Sequence, residues 1–155
     1  TAHKLRGSLG LQCAATGCVL HLVEPLGFAI DDKRMKRAGL DYWHLLDVRM
    51  YKNLDEFFEK NPDGRYFYAT TKAPHAYHEV EYRDGDYLMF GKETRGLPEA
   101  LLAANQEHCI RMPMRDTCRS LNLSNSVAVG VYEVLRQWDF PELLDHGHLR
   151  DYEWK

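Results

Sequence analysis

The sequence predicts an α/β domain with a mostly parallel sheet flanked by helices. Short apolar runs alternate with amphipathic stretches of helical period along the whole chain, the pattern of strands joined by helical crossovers. At least one run, residues 18–23, is apolar almost without interruption, as in a strand covered on both faces. No composition break, repeat or linker divides the 155 residues, a length that suits one compact domain.

Taken in order, residues 7–17 place small and apolar side chains at helical spacing, with Gly17 as the expected C-cap. A strand follows at 18–23. Asp31 and Asp32 open a short helix that carries Lys33, Arg34, Lys36 and Arg37 and ends at Gly39, with acids first and bases last as the helix dipole favours. Strands are expected at 45–50 and 66–70, separated by an acidic amphipathic helix at 54–59, and further strands at 86–90 and 109–112. Pro98 starts a short helix reaching residue 104. The last helix spans 123–138, with Val127, Val131, Val134, Leu135 and Trp138 on one face and Pro141 as its stop. Residues 141–155 read as a loosely docked polar and aromatic tail.

Composition excludes several classes. The chain is 45% hydrophobic and 28% charged, which marks a folded globular protein and not a disordered one. No window approaches the ~20 apolar residues of a membrane span, and no basic, apolar leader opens the chain; the expected setting is the cytoplasm, away from membranes. With 20 Lys and Arg against 23 Asp and Glu, net charge is -3, so a nucleic acid must be met by a local basic patch. Cys13, Cys18, Cys109 and Cys118 form no C-x-x-C pair and read as reduced thiols buried as small apolar residues. His75 and His78 would share a helical face, but nothing acidic completes a ligand set. No metal is expected.

Several familiar motifs fail. Gly91 to Gly96 has the glycine spacing of a P-loop, but Leu97-Pro98 replaces the required Lys-Ser/Thr, so no cation neutralises a triphosphate. G-x-G-x-x-G is absent, and no serine or cysteine sits in a recognisable nucleophile motif. What remains is three segments, each at the end of an expected strand: Tyr68 to Lys72, Phe90 to Pro98, and Arg111-Met112-Pro113 leading to Ser120-Leu121-Asn122. Ligands of open α/β sheets bind outside the carboxyl ends of the strands. The run Ser120-Leu121-Asn122-Leu123-Ser124-Asn125-Ser126 places more short polar side chains at one helix start than a single N-cap requires. Taken singly, Gly91 and Gly96 equally suit positive-φ turns, and Ser120, Asn122 and Ser124 equally suit caps.

Leu22-Val23-Glu24-Pro25-Leu26-Gly27-Phe28, Asp31-Asp32-Lys33-Arg34, Arg37-Ala38-Gly39-Leu40-Asp41-Tyr42, the stretch from Tyr87 to Pro98 and the stretch from Arg119 to Val127 occur in that order. In these segments the chain resembles the TrmL (YibK) subgroup of the SPOUT superfamily, S-adenosylmethionine-dependent tRNA 2'-O-ribose methyltransferases acting on the wobble nucleotide, cytidine or uridine, with leucine tRNA the expected substrate. The likeness covers roughly residues 13–140. It implies a single SPOUT domain over 1–155, a trefoil knot toward the C-terminus, a homodimer, and S-adenosylmethionine bound by the three loops and released as S-adenosylhomocysteine. Matched position by position, it implies cofactor contacts at Ala69, Gly91, Met112 and Ser120, with Glu93, Gly96, Leu121 and Ser126 beside them. Lys33, Arg34, Lys36, Arg37 and Arg115 are the expected RNA contacts.

One departure stands out. The family carries an arginine in an Asn-Thr-Gly-Asn-x-x-Arg motif near its first helix, and alignment on Cys13 to Gly17 places Leu11 there, with the family's first strand not covered. Leucine can neither orient a phosphate nor assist loss of a hydroxyl proton. An altered N-terminal segment, an impaired activity, and substitution by Arg6 one turn away all fit, and Arg6 is the candidate catalytic residue. A non-catalytic cofactor- and RNA-binding module and a ribosomal RNA methyltransferase are the other readings.

Overall fold

A computed structural model describes residues 16–23, 47–91, 96–118 and 121–155. The expected basic helix at 31–39, most of the helix at 7–17, Arg6, Leu11, Glu93 and Ser120 lie outside the described residues. Thr16 is helical and Gly17 takes φ +74°, the left-handed turn expected of a C-cap glycine.

In chain order the elements are β1 (Leu20–Val23), β2 (Val48–Tyr51), α1 (Leu54–Lys60), β3 (Arg65–Ala69), β4 (His75–Ala76), β5 (Asp86–Phe90), α2 (Glu99–Ala104), β6 (Cys109–Arg111) and α3 (Leu123–Gln137). Short 3-10 turns occupy Tyr77–Glu79 and Gln106–His108. β1 and β2 form one parallel pair, and a four-stranded sheet runs in the order β4-β6-β3-β5. Its registers, Ala69 opposite both Phe90 and Ile110 and Ala76 opposite Arg111, are all parallel. His75 and His78 therefore share no helical face: one lies in a strand and the other in a 3-10 turn. The alternating pattern that would have shown β4 is only two residues long.

Period-two alternation divides the core between the faces of this sheet. Phe67 and Ile110 point to one side, where Tyr82, Val134 and Trp138 cover them. Tyr68 and Cys109 point to the other, where Leu97, Phe58 of α1 and Leu101 and Leu102 of α2 complete the packing. Cys109 is buried there, and burial pushes its thiol pKa up, as expected of a structural cysteine. Cys18 is only half-buried, and Cys118, on the loop after β6, is exposed, against the expectation of burial.

α1 starts on Asn53, whose side chain accepts from the Glu56 N–H at 2.8 Å, while Glu56 reaches back to the Lys52 N–H. α3 starts on Asn122 in the same way, accepting from the Ser124 N–H at 2.9 Å. The expected apolar stripe of α3 is only partly right. Leu135 is buried and Val134 and Trp138 pack on the core, but Gly130 and Glu133 are buried beside them. Gly130 is buried because the helix passes close to the sheet: a Cβ there would lie 3.2 Å from Met112 Cε and Phe90 Cζ and 3.3 Å from Leu88 Cδ1. Glu133 keeps its charge through a two-pronged pairing with Arg136, which holds its carboxyl below the usual range.

α3 also ends before Pro141 acts. Asp139 and Phe140 take φ +59° and +49°, and the Phe140 N–H closes on the Leu135 carbonyl at 2.8 Å. Left-handed backbone at non-glycine residues is costly, so the surrounding contacts must hold it. At this end Gln137 spans the segment leading to β5, accepting from the Tyr82 N–H at 3.1 Å and donating to the Val80 carbonyl at 2.9 Å. The Trp138 indole donates to the Tyr82 carbonyl at 3.0 Å. Beyond Phe140 no helix or strand forms, and Leu144, Tyr152 and Trp154 are exposed, in keeping with the expected tail.

The β1–β2 pair joins the larger sheet through an aromatic and polar cluster. His21 lies against Tyr51, Phe57 and Tyr87, and its Nδ1 shares a hydrogen bond with the Tyr51 hydroxyl at 2.9 Å. Asn61 links the rings: its amide donates to the Tyr51 hydroxyl at 3.2 Å, and its side-chain carbonyl accepts from the Tyr87 hydroxyl at 3.1 Å. Burial, with help from Arg49, lowers the His21 pKa.

Beyond β5 the chain doubles back on itself. A Cβ on Gly91 would lie 2.3 Å from the Gly96 carbonyl carbon and 2.4 Å from the Leu97 nitrogen. Only glycine allows backbone to pass backbone at that distance. Gly96 itself takes φ +71°, turning the chain so that Leu97 enters the core.

Three outcomes follow from these contacts. Gln137→Ala leaves a buried N–H and a carbonyl without their partner and is expected to lower unfolding free energy by about 2 kcal/mol, read from urea midpoints. Gly91→Ala should cost about 2 kcal/mol or more, because the obstacle is backbone and not a side chain that can swing away. For His21 the folded pKa is depressed, so its contribution is complete above about pH 6.5 and is lost as pH falls through the folded value. Urea melts between pH 7.5 and pH 5 should show that acid-side loss, and His21→Gln should flatten it.

Candidate functional site

Because β6, β3 and β5 are neighbours and parallel, their carboxyl ends share one rim of the sheet. The chain leaves that rim at Ala69, Phe90 and Arg111, so the three segments anticipated from sequence do converge. After β3, the Thr70 N–H donates to the Ile110 carbonyl at 2.9 Å, and residues 70–73 form a turn closed by the Ala73 N–H on the Thr70 carbonyl at 3.3 Å. The Thr70 hydroxyl accepts from the Lys72 N–H at 3.1 Å and tightens the same turn. After β5, the Gly96–Leu97 backbone lies directly against Gly91. After β6, Met112 is only 9% exposed, its side chain reaching under Gly130.

α3 forms the wall behind the rim. Gly130 rests on Met112, Phe90 and Leu88, which join the ends of β5 and β6 under one helix position. Ser126 lies one turn earlier, four residues from Gly130 and so on the same face. Ala69, Gly91, Gly96 and Met112 are thus gathered at this rim, with Ser126 on the helix face that approaches it. Leu121 precedes α3 and is exposed, and Arg115 is exposed on the loop following β6. Tyr132 is 45% exposed and takes no part in the core. Glu93, Ser120, Arg6 and the cluster Lys33, Arg34, Lys36 and Arg37 lie outside the described residues.

The rim suits a ligand held chiefly by main chain. Ala69, Gly91 and Gly96 present little side chain, and the Met112 side chain is turned into the core, so amides and carbonyls of three turns are the groups on offer. Buried apolar side chains lie directly beneath. Among the described residues no group of His, Cys, Asp and Glu is arranged to hold a metal ion. Charge at the rim comes from Lys72, which pairs with Glu99 at the start of α2 and holds its carboxyl below the usual range. Arg111 donates to the Thr71 carbonyl at 3.1 Å. Sequence reasoning placed Arg111 in the third segment without its contact to Thr71, and it missed Gly130. The Ser126–Gly130 spacing was available as a sign of close helix approach, whereas the Arg111 contact crosses between strands and has no local signature.

Comparison with known proteins agrees with this geometry. The sequence profile of the SpoU rRNA Methylase family matches residues 7–132. An Escherichia coli K12 protein, tRNA (cytidine(34)-2'-O)-methyltransferase, is 50% identical over 136 residues, covering 87% of each chain. A Bacillus anthracis structure, solved as a candidate RNA methyltransferase, superposes with TM-score 0.87 at 46% identity and 92% coverage of both chains. A structure from work on the 2-OH methylation of C/U34 on tRNA gives TM-score 0.81 at 39% identity, covering 88% of this chain and 90% of that one. The matching profile spans most of the chain, the close relatives align over nearly its full length, and the rim of three turns lies within the matched region: the chain belongs to the SpoU rRNA Methylase family.

Proposed function

We propose that this chain methylates the ribose 2'-hydroxyl of the tRNA wobble nucleotide, cytidine or a modified uridine, using S-adenosylmethionine, with leucine tRNA as substrate. The carrying observation is the rim itself: three neighbouring parallel strands ending in small-residue turns under α3, in a chain half identical to a tRNA (cytidine(34)-2'-O)-methyltransferase. That relative's name favours tRNA over ribosomal RNA as the target.

Backbone of Ala69, Gly91, Gly96 and Met112 would hold the donor, with Glu93, Ser120, Leu121 and Ser126 beside it. When bound, S-adenosylmethionine supplies a methyl made electrophilic by its sulfonium charge, so the carbon–sulfur bond breaks as the new carbon–oxygen bond forms. The residues of the chain have two tasks: to hold hydroxyl and methyl ~3 Å apart and in line, and to help remove the hydroxyl proton. Arg6 is our candidate for the second task. Lys33, Arg34, Lys36, Arg37 and Arg115 would hold tRNA phosphates, giving a local attraction that the net charge of -3 does not supply.

We read residues 1–155 as one domain that works as a homodimer and carries a trefoil knot, a reading supported by the likeness to the family. Leu11, at the position where the family has arginine, favours one second reading, a module that binds donor and RNA without turnover.

The test is incorporation of labelled methyl into an unmodified leucine tRNA anticodon arm. Transfer is expected at C34 or U34, and Leu11→Arg should raise its rate by up to about 100-fold. Saturable donor binding with no transfer from either form would establish the non-catalytic module instead.

A further inference from the structure

We infer that Arg111 is a positioning residue for the donor pocket, holding the turn after β3 against the end of β6; the inference rests on the reading of the rim as a methyl-donor site. Arg111 ends β6 and directly precedes Met112. By strand alternation its side chain leaves on the Cys109 face, away from α3, and its Nη1 donates to the Thr71 carbonyl at 3.1 Å. Sheet hydrogen bonding from β3 stops one residue earlier, where the Thr70 N–H meets the Ile110 carbonyl. The two bonds internal to the turn use the Thr70 carbonyl and hydroxyl and leave the Thr71 carbonyl to Arg111.

Past Thr70, then, the turn is moored by side chains. On one side is the Arg111 guanidinium, half-buried at a strand end. On the other is the Lys72–Glu99 ion pair, whose side chains are 62% and 78% exposed and which salt therefore screens. Sheet pairing sets the spacing of Ala69 from Ile110, and the Arg111–Thr71 bond carries that spacing past the strand ends, between the turn that Ala69 opens and the segment that begins at Met112. A donor held through backbone groups tolerates little drift in that spacing.

Calorimetric titration with S-adenosylhomocysteine tests this on the full chain, beside steady-state methyl transfer. Arg111→Gln is expected to raise the Kd about tenfold and the donor KM in step, leaving kcat at saturating donor within about twofold. Amide exchange at Lys72 and Ala73 should accelerate without a matching change at β3. Arg111→Lys, which can still place one N–H on the Thr71 carbonyl, should restore Kd to within about threefold of the starting value. A Kd unchanged by Arg111→Gln would overturn the inference. If that variant does not fold, Arg111→Lys decides alone, and a loss of tenfold or more there overturns it as well. Failure of the unmodified chain to bind S-adenosylhomocysteine would instead remove the donor reading itself.

Discussion

Passage of the Gly96–Leu97 backbone directly over Gly91 is the contact on which the remaining architecture of this rim depends. With no room for a Cβ at Gly91, the Gly96–Leu97 backbone lies directly against the end of β5, and the turn at Gly96 drives Leu97 into the core beside Tyr68 and Cys109. That one insertion fastens the loop to the sheet face opposite α3. The other face is fastened by Gly130, where helix and sheet come close enough for Met112, Phe90 and Leu88 to meet one backbone position. Two glycines, used for proximity and not for flexibility, thus set the depth of the site from both sides.

Support of the rim is unequal in strength, and the inequality follows from exposure. The buried layer is held by apolar packing, with Gly130 of α3 resting on Met112, Phe90 and Leu88. The outer layer is held by single side-chain contacts, Arg111 to Thr71 and Lys72 to Glu99. A site of this construction has a stiff floor and walls that adjust at small cost.

Most of the regular structure was legible along the chain because its causes are local. Apolar runs, the acidic amphipathic pattern of α1 and the proline opening α2 foretold elements whose observed ends differ from expectation by at most a few residues. Where the reading failed, a distant partner was responsible. β4 exists because β6 offers it an edge; α3 ends on a left-handed turn at Asp139 and Phe140 and not on Pro141; Gly130 and Glu133 are buried although neither is apolar.

The candidate site divides along the same line. Residue types and their order were enough to identify three turn-forming segments and a polar helix start, because glycine spacing, strand ends and capping residues are written into consecutive positions. That these segments meet depended on strand order: β6, β3 and β5 are adjacent although they are far apart in the chain, and parallel pairing sends all three ends to one rim. Arg111 and Thr71 come within hydrogen-bonding reach for the same reason. Local chemistry could name the parts, but their assembly is a matter of which strand lies beside which, and that is settled by burial and hydrogen bonding summed over the whole sheet.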